Sequence, residues 1–349
     1  MTTKKEKSLQ AVLDKAIDGK RVFGTSFALK KNSVTWQGAS GNLTTDRPYF
    51  IASTTKLFTT AIILKLREEG KLSLEDKISK YIDVLTLFRL HVYRGKDYSY
   101  ELTIRHLLSH TSGLPDYFQD KETNYMSLEN ELMNGDDQFW SFEQAIKRSK
   151  KLFPLFKPGT KGKANYSDTN FQLLGKIIET ITGKSYSENC QERIIQPLGL
   201  TKTYLYQDVN DATPMMLYHK SKKLNIPKAM TSFGADGGMV SVSADMLVFI
   251  EAFFSGKLFP LAYIDELQEW NKIFPPMRAG LGIHLFKLPR VFDPSGAIPY
   301  FIGHSGLSGA LAFYSPEENL YIAGTVNQTA HPDISFRTMI SLTQRILKK

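Results

Sequence analysis

The sequence predicts an α+β protein, in which an antiparallel β-sheet flanked by helices carries an inserted all-helical domain. Strand-like alternation of apolar and polar residues occurs near the N-terminus and returns after about residue 280, whereas the middle has the pattern of short helices. A chain of 349 residues is also longer than most single compact cores. We therefore expect residues 1–71 and 224–349 to form the sheet domain, and residues 72–223 to form the helical domain.

The N-terminal part begins with "SLQAVLDKAIDG", which has the pattern of an amphipathic helix ending at Gly19. "GTSFALKK" and "SVTWQGASGN" then alternate like two antiparallel strands joined around Lys31 and Asn32. The next helix begins near Ser53. Its apolar residues occupy every side, so this helix is predicted to be central rather than half-exposed.

The middle of the chain is punctuated by glycine and proline. Short helices are predicted for "SLEDKISKYI", "TIRHLLSHTSG", "SFEQAIKRSKK", "DTNFQLLGKIIETITG" and "SYSENCQERIIQPLG". Strand patterns follow in "GLGIHLFKL", "GALAFYSP" and "NLYIAGTVN", and a closing helix is predicted from about Ser335 to Leu347. Both ends of the chain thus supply strands to one sheet.

Charge and cysteine content exclude several classes of protein. The net charge is +9, but the densest basic run, Lys147 to Lys163, lacks an aromatic stacking platform and a nucleic-acid-binding motif, so no nucleic-acid partner is expected. Cys190 is the single cysteine, which rules out an intrachain disulfide, a zinc ribbon and a CxxC redox site. It is expected to be a small buried apolar residue.

The sequence as written predicts neither a signal peptide nor a membrane span. "MTTKKEKSLQAVLDKAIDG" has no apolar core, and the longest apolar run, Leu57 to Leu66, is interrupted by Lys65. No transmembrane segment and a cytoplasmic location are therefore expected. A periplasmic or extracellular location stays open if a signal was removed.

Ser53 and Lys56 are three residues apart at the start of the apolar helix, in "FIASTTKLFTTAIIL". Residues with this spacing share one helix face, and burial favours the neutral, basic form of a lysine. A serine hydroxyl needs such a base to become a nucleophile. The alternative is that Ser53 merely caps the helix while Lys56 extends to water.

Two further motifs carry groups that could act with this pair. In "ANYSDTNFQLLG", Tyr166 precedes a helix capped by Ser167 or Asp168, and a tyrosine near an ammonium can relay protons. In "IGHSGLSGALAFYSP", His304 and Gly306 lie at a strand edge, where glycine allows a substrate to approach the backbone. Taken singly, each has a structural alternative: a turn tyrosine in the first motif and a packed histidine in the second.

In their order along the chain, these motifs resemble those of the serine β-lactamase and penicillin-binding protein superfamily. The likeness is greatest to the branch with a Tyr-x-Asn second motif, which contains class C β-lactamases, DD-carboxypeptidases, D-aminopeptidases and esterases. "LTIRHLLSHTSGLPDY" and "GADGGMVSVSADML" are similar to recurrent segments of that branch, and the resemblance runs from about Phe23 to about Asn327. It implies a β-lactamase/transpeptidase-like fold with the active site between the two domains.

The resemblance also implies roles for individual residues. Ser53 would attack an amide or ester carbonyl and become acylated, while Lys56 and Tyr166 would transfer its proton. The backbone N–H groups of Ser53 and Leu307 would form the oxyanion hole. The substrate, a small molecule or short peptide, would contact Asp168 of the second motif and His304, Gly306 and Leu307 of the third. No cofactor or metal is implied.

Two positions depart from the family pattern. Asp168 replaces an asparagine; an ionised aspartate cannot donate a hydrogen bond, and it would hold Lys56 as an ammonium, which favours Tyr166 as the base and disfavours β-lactam turnover. His304 replaces a lysine and would help to position a substrate carboxylate or support Tyr166. Since histidine titrates near neutrality, we expect activity to depend on pH there.

Two other patterns in the sequence resemble catalytic motifs but lack a residue that the motif requires. "GHSGL" imitates the Gly-x-Ser-x-Gly elbow around Ser305, but its last position is Leu307. His106 and His110 have helical spacing without the glutamate of a zinc protease, so packing and loop hydrogen bonds are expected of them. Two functions remain open: a hydrolase of D-amino-acid peptides, lactams or small esters, and a non-turnover binding or sensor module. The oligomeric state is undetermined.

Overall fold

The computed structural model describes residues 2–294 and 296–348. The α-helices are α1 (Thr3–Ala16), α2 (Lys56–Glu68), α3 (Val84–Leu87), α4 (Ile104–Leu108), α5 (Leu128–Asn134), α6 (Phe142–Lys151), α7 (Asp168–Thr182), α8 (Tyr186–Cys190), α9 (Gln196–Leu198), α10 (Pro227–Met230), α11 (Ser243–Phe254), α12 (Tyr263–Leu267) and α13 (Asp333–Leu347). Short 3₁₀ turns lie at Ala52–Thr55, Ile78–Lys80 and Ser99–Glu101, and a π-helical turn at Gln191–Ile195 joins α8 to α9.

The strands are β1 (Gly24–Lys31), β2 (Val34–Gly41), β3 (Tyr49–Phe50), β4 (Val92–Tyr93), β5 (Lys96–Asp97), β6 (Tyr204–Leu205), β7 (Tyr218–His219), β8 (Lys222–Lys223), β9 (Met239–Ser241), β10 (Asn271–Lys272), β11 (Met277–Ala279), β12 (His284–Phe286), β13 (Phe301–Ser305), β14 (Ala310–Ser315) and β15 (Leu320–Thr325).

One large antiparallel sheet has the strand order β10-β11-β12-β13-β14-β15-β1-β2. Its N-terminal and C-terminal parts join where β1 pairs with β15, with Ser26 opposite Thr325 and Leu29 opposite Ile322. This arrangement confirms that both ends of the chain build one sheet.

Both faces of this sheet are covered by helices. Successive side chains of a strand point to opposite faces, so Phe27 and Leu29 of β1 pack with α1 and α13, whereas Ala28 belongs to the core around α2 and α11. Alanines recur on the α11 side at Ala312 and Ala323. Their small side chains leave room for helices to approach the strands closely.

Helix α2 lies at the centre of the molecule. Every residue from Lys56 to Leu64 is buried, and Lys65, Arg67 and Glu68 reach the surface only at its end. The Phe58 ring stacks on Phe249 of α11, with 3.8 Å between the ring centroids. The prediction of a central helix is confirmed.

The middle segment is mainly helical but also contains the hairpins β4–β5 and β7–β8. The helix predicted for "SLEDKISKYI" is wrong apart from the turn Ile78–Lys80. There the backbone of Lys77 pairs with Thr103, and Ile78 N donates to Leu102 O at 3.0 Å. This pairing uses backbone groups that a helix would need for its own hydrogen bonds. In the part of the chain that the structure describes, every helix is too short or too polar to cross a membrane.

Candidate active site

Ser53 lies in the 3₁₀ turn that leads into α2. Ala52, immediately before it, has a φ of 46°, a left-handed conformation that is unfavourable for a residue with a side chain. The turn is held from one side because Ile51 N donates to Met239 O at 3.1 Å. Neither this turn nor α2 has a side-chain cap, so the interpretation of Ser53 as a plain helix cap is wrong.

Tyr166 is the group in direct contact with this serine. It lies two residues before α7, and its Oη donates a hydrogen bond of 2.8 Å to Ser53 Oγ. The ring stacks on His110 at 4.7 Å, which fixes its orientation. Burial, followed by the nearby charge of Asp168, raises the pKa of Tyr166 well above its usual value. At neutral pH the group is therefore a phenol that donates to Ser53.

Lys56 has 0% exposure, which excludes extension of its side chain to water. Its Nζ donates to the carbonyl oxygen of Asp236 at 2.6 Å and forms an ion pair with Asp168 Oδ1 at the same distance. The ammonium also lies 5.1 Å from the centroid of the Tyr166 ring. The apolar helix α2 can therefore bury this lysine, because Asp168 and the carbonyl group of Asp236 supply the partners that its charge needs.

Two acidic groups that the sequence analysis did not select lie around this lysine. The Asp236 carboxylate accepts a hydrogen bond from Tyr117 Oη at 2.7 Å, and burial raises the pKa of Asp236 to about 6. Burial and the neighbouring Asp168 also raise the pKa of Asp116 well above its usual range. Asp116 and Tyr117 lie in the stretch "LTIRHLLSHTSGLPDY", and Asp236 lies in "GADGGMVSVSADML". Both stretches are similar to recurrent segments of the family branch, and the acidic residue inside each was the signal in the sequence that could have identified these groups.

Gly306 lies directly against the turn that carries Ser53. A Cβ at this position would lie 2.5 Å from Ile51 O, closer than real contacts allow, and 3.1 Å from Ser53 N, which is tighter than most real contacts. Glycine is therefore required for the end of β13 to approach Ser53. The approach places Leu307, the next residue, beside Ser53 at the mouth of the same cavity.

His304 differs most from its expected role. It is buried behind the cavity wall, and its Nδ1 lies 2.8 Å from the carbonyl oxygen of Ser305. Burial and then the neighbouring His284 lower the pKa of His304 well below its usual value. The expectation that His304 titrates near neutrality is therefore wrong: it is neutral there, and it is not among the residues that line the cavity.

A cavity of about 400 Å³ opens above Ser53. Of the expected site residues, Ser53, Tyr166, Asp168, Gly306 and Leu307 line this cavity, and Lys56 lies beneath it. The rest of its wall is largely apolar and aromatic, including Phe118, Met133, Phe233, Phe274, Met277 and Phe336. The cavity therefore suits an apolar substrate group placed next to the serine.

The other histidine candidates have structural roles. His106 completes a capping box at the start of α4, with its Nδ1 accepting from Thr103 N. His110 Nδ1 accepts from Ser167 N at 3.2 Å and so holds the residue after Tyr166. Packing and loop bonding, as expected, account for both. Ser305 also lines the cavity. Its carbonyl oxygen is the partner of His304 Nδ1.

The fold combines a large antiparallel sheet with a central helix that begins just after Ser53. Tyr166 contacts both Ser53 and Lys56 at the start of this helix. This is the arrangement expected of the superfamily that the motifs resemble. The family model described as Beta-lactamase matches residues 9–339. This chain belongs to the beta-lactamase family.

Individual relatives support the same placement. A putative penicillin-binding protein PbpX of Bacillus subtilis (strain 168) is 26% identical over 291 residues, which is 80% of this chain and 64% of that protein. Penicillin-binding protein 4* of the same organism is 26% identical over 283 residues, 73% of this chain and 57% of that protein. The chain thus spans less than two thirds of the length of these curated relatives.

Solved structures are similar over nearly the whole chain. A D-stereospecific amidohydrolase from Streptomyces sp. has a TM-score of 0.79 at 26% identity, with 95% of this chain and 97% of that one covered. A D-amino acid amidase from Ochrobactrum anthropi SV3 has a TM-score of 0.80 at 21% identity, with 99% of each chain covered. The second likeness shows the fold alone.

Proposed function

We propose that this protein is a serine hydrolase that cleaves an amide or an ester through an acyl-enzyme on Ser53. The observation that carries the proposal is the 2.8 Å hydrogen bond between Tyr166 Oη and Ser53 Oγ above a fully buried Lys56. A nucleophile within bonding reach of a proton-transfer group, which is itself oriented by a third group, is the arrangement that nucleophilic catalysis needs.

The phenol of Tyr166 first loses its proton to solvent, and the resulting phenolate is stabilised by the nearby Lys56 ammonium. As Ser53 Oγ bonds to the substrate carbonyl carbon, its proton moves to Tyr166 Oη, and the N–H groups of Ser53 and Leu307 hold the resulting oxyanion. The phenol then gives this proton to the leaving nitrogen or oxygen as the scissile bond breaks. A water repeats the sequence: its proton goes to Tyr166, its oxygen attacks the acyl carbon, and Ser53 leaves with the proton.

The structure favours D-amino-acid amides and small apolar esters over β-lactams as substrates. Asp168 is engaged with Lys56 at 2.6 Å and as a carboxylate has no hydrogen to donate to a lactam side-chain carbonyl. The apolar wall suits an aromatic or aliphatic acyl group. The similarity to a D-stereospecific amidohydrolase supports an amide substrate. We place the cleft between residues 72–223 and the sheet domain, since both supply lining side chains.

One observation keeps a second function under test. Lys56 is ion-paired with Asp168, and the pKa of the Tyr166 phenol is raised, so little of the phenolate that would activate a deacylating water is present at neutral pH. A chain of this kind could acylate and then stay acylated, which is the behaviour of a sensor module.

The test uses p-nitrophenyl butyrate, D-phenylalanine amide, nitrocefin and a D-Ala-D-Ala peptide, with the mass of the intact protein measured after each. We expect ester and amide turnover that falls by about 10³-fold or more in Ser53→Ala and by about 10²-fold or more in Tyr166→Phe. Ser305→Ala, the rival serine, should still gain the acyl mass. A stable adduct without turnover would identify the sensor, and unchanged turnover in Ser53→Ala would refute the proposal.

A further inference from the structure

His284 is a buried polar residue that none of the catalytic steps uses. It belongs to β12, is only 2% exposed, and lines the cavity above Ser53. Within the residues that the structure describes, neither of its ring nitrogens has a hydrogen-bond partner. Buried polar atoms are nearly always paired, so the two ring nitrogens at this cavity wall are available to hydrogen-bond a molecule that enters the cavity.

The His284 ring is held in place by its neighbours. It stacks on His304 with 3.9 Å between centroids, and Phe274 and Tyr166 contact it edge-on at 6.3 and 6.0 Å. Tyr166 contacts both the His284 ring and Ser53, so only one side chain separates His284 from Ser53 in space. A group bound by His284 would therefore belong to the same substrate molecule whose carbonyl is attacked by Ser53.

His284 is uncharged under physiological conditions. Burial, followed by the charge of Lys56, lowers the pKa of His284 to about 3. A neutral imidazole offers one N–H donor and one acceptor, which matches a carboxamide or a hydroxyl. The charged side chains among the described lining residues are the carboxylates Asp168 and Asp236. None of these lining residues is a lysine or an arginine that could pair with a substrate carboxylate, and the Lys56 ammonium is already engaged by Asp168 and the Asp236 carbonyl.

We infer that His284 is the residue that determines polar specificity: it hydrogen-bonds an uncharged polar group of the substrate, and the cleft disfavours substrates that carry a carboxylate there. This inference rests on the proposed hydrolysis at Ser53 and names the substrate class of that site as carboxamide-bearing or hydroxyl-bearing amides and esters.

The experiment compares substrates that differ only in this charge. One pair consists of butyrate esters of 4-hydroxybenzamide and 4-hydroxybenzoate, with the polar group on the leaving side. The other consists of p-nitrophenyl esters of 4-carbamoylphenylacetic and 4-carboxyphenylacetic acid, with the group on the acyl side. In at least one pair, we expect kcat/KM of the wild-type protein to favour the carboxamide by about tenfold or more.

Variants of His284 then assign the preference. The reference for the variants is the matching ester without the polar group, which is phenyl butyrate in the first pair and p-nitrophenyl phenylacetate in the second. His284→Phe keeps an aromatic ring against His304 but removes both nitrogens, and should lower the ratio of kcat/KM for the carboxamide to kcat/KM for this reference by about tenfold. His284→Asn, which can still donate and accept, should retain most of it. His106→Gln is the control, since glutamine preserves the α4 capping box and His106 is not among the described residues that line the cavity, so its ratio should equal that of the wild type.

A ratio cancels differences in the amount of folded enzyme, and the wild-type comparison needs no variant at all. Equal rates on carboxylate and carboxamide in both pairs, or an unchanged ratio in His284→Phe, would overturn the inference while Ser53-dependent turnover left the proposed function intact. Turnover that survives in Ser53→Ala would instead refute the proposed function and this inference with it.

Discussion

Ser53, Tyr166 and Lys56 form a stack in which each group is positioned by the next. Tyr166 Oη bonds Ser53 Oγ at 2.8 Å, and Asp168 with the carbonyl of Asp236 fixes the Lys56 ammonium beneath them. Burial keeps Tyr166 protonated at rest. The serine is presented to the cavity by a strained turn that leaves no space for a side chain at position 306.

Gly306→Ala should therefore damage the site more than any substitution of similar size nearby. The new Cβ would meet Ile51 O and Ser53 N, so the turn or β13 must move, at a cost of about 1–3 kcal/mol and with at least a tenfold loss in kcat/KM. Gly234→Ala is the matched control, because its Cβ would meet nothing within 4 Å. Thermal unfolding and p-nitrophenyl butyrate hydrolysis measure both effects. Equal behaviour of the two variants would show that the close approach is unimportant.

At the scale of elements, α2 connects the site to the core. Its first residue is Lys56, and the residues that follow pack against α7 and α11. The stacked rings of Phe58 and Phe249 fix how α2 lies against α11. Because the same helix begins one turn after Ser53, loosened packing here should also disturb the nucleophile.

Phe58→Ala should destabilise the protein by about 3–5 kcal/mol, since it removes a fully buried ring from the central helix. Phe153→Ala is the control at an 87% exposed phenylalanine, where a change within about 0.5 kcal/mol is expected. Urea unfolding followed by fluorescence compares the two midpoints. A Phe58→Ala midpoint equal to that of Phe153→Ala would contradict a central role for α2.

For the molecule as a whole, the sheet and the middle segment enclose three neutral histidines near one buried ammonium. Burial lowers the pKa of His110, His284 and His304, with the Lys56 charge contributing to each. Above pH 6.5, the folded and unfolded chains both carry neutral imidazoles. Below it, the unfolded chain binds protons that the folded chain cannot, so these groups reduce stability as the pH falls.

We expect the acid dependence of the melting temperature to be weaker in His304→Phe than in the wild type between about pH 6.5 and pH 4.5. Asp236, with a pKa raised to about 6, acts oppositely, because its folded form gains a proton in this range. The comparison of slopes therefore isolates the histidine. His331→Phe, at a partly exposed site, serves as the control. A slope for His304→Phe as steep as that of the wild type would contradict the buried neutral state.

Local pattern was sufficient for much of this protein. Alternation predicted β1, β2, β14 and β15, apolar residues on every side predicted the buried α2, and a helical pattern predicted α7, because burial on a sheet face or around a helix repeats with a fixed period. The motifs also led to Ser53, Lys56 and Tyr166, which the structure places together. The failed helix at "SLEDKISKYI" shows the limit of pattern, since pairing with Thr103 outweighed local helical propensity.

What the sequence by itself determined was the long helices and strands, the family and the chemical groups of the site. Only the tertiary structure decided their protonation and surroundings: His304 is neutral and hidden, His284 faces the cavity unpaired, and Asp236 holds Lys56 through a backbone oxygen. The physical reason is that desolvation and charge proximity depend on contacts between distant segments, and these distances are not encoded in any local stretch of residues.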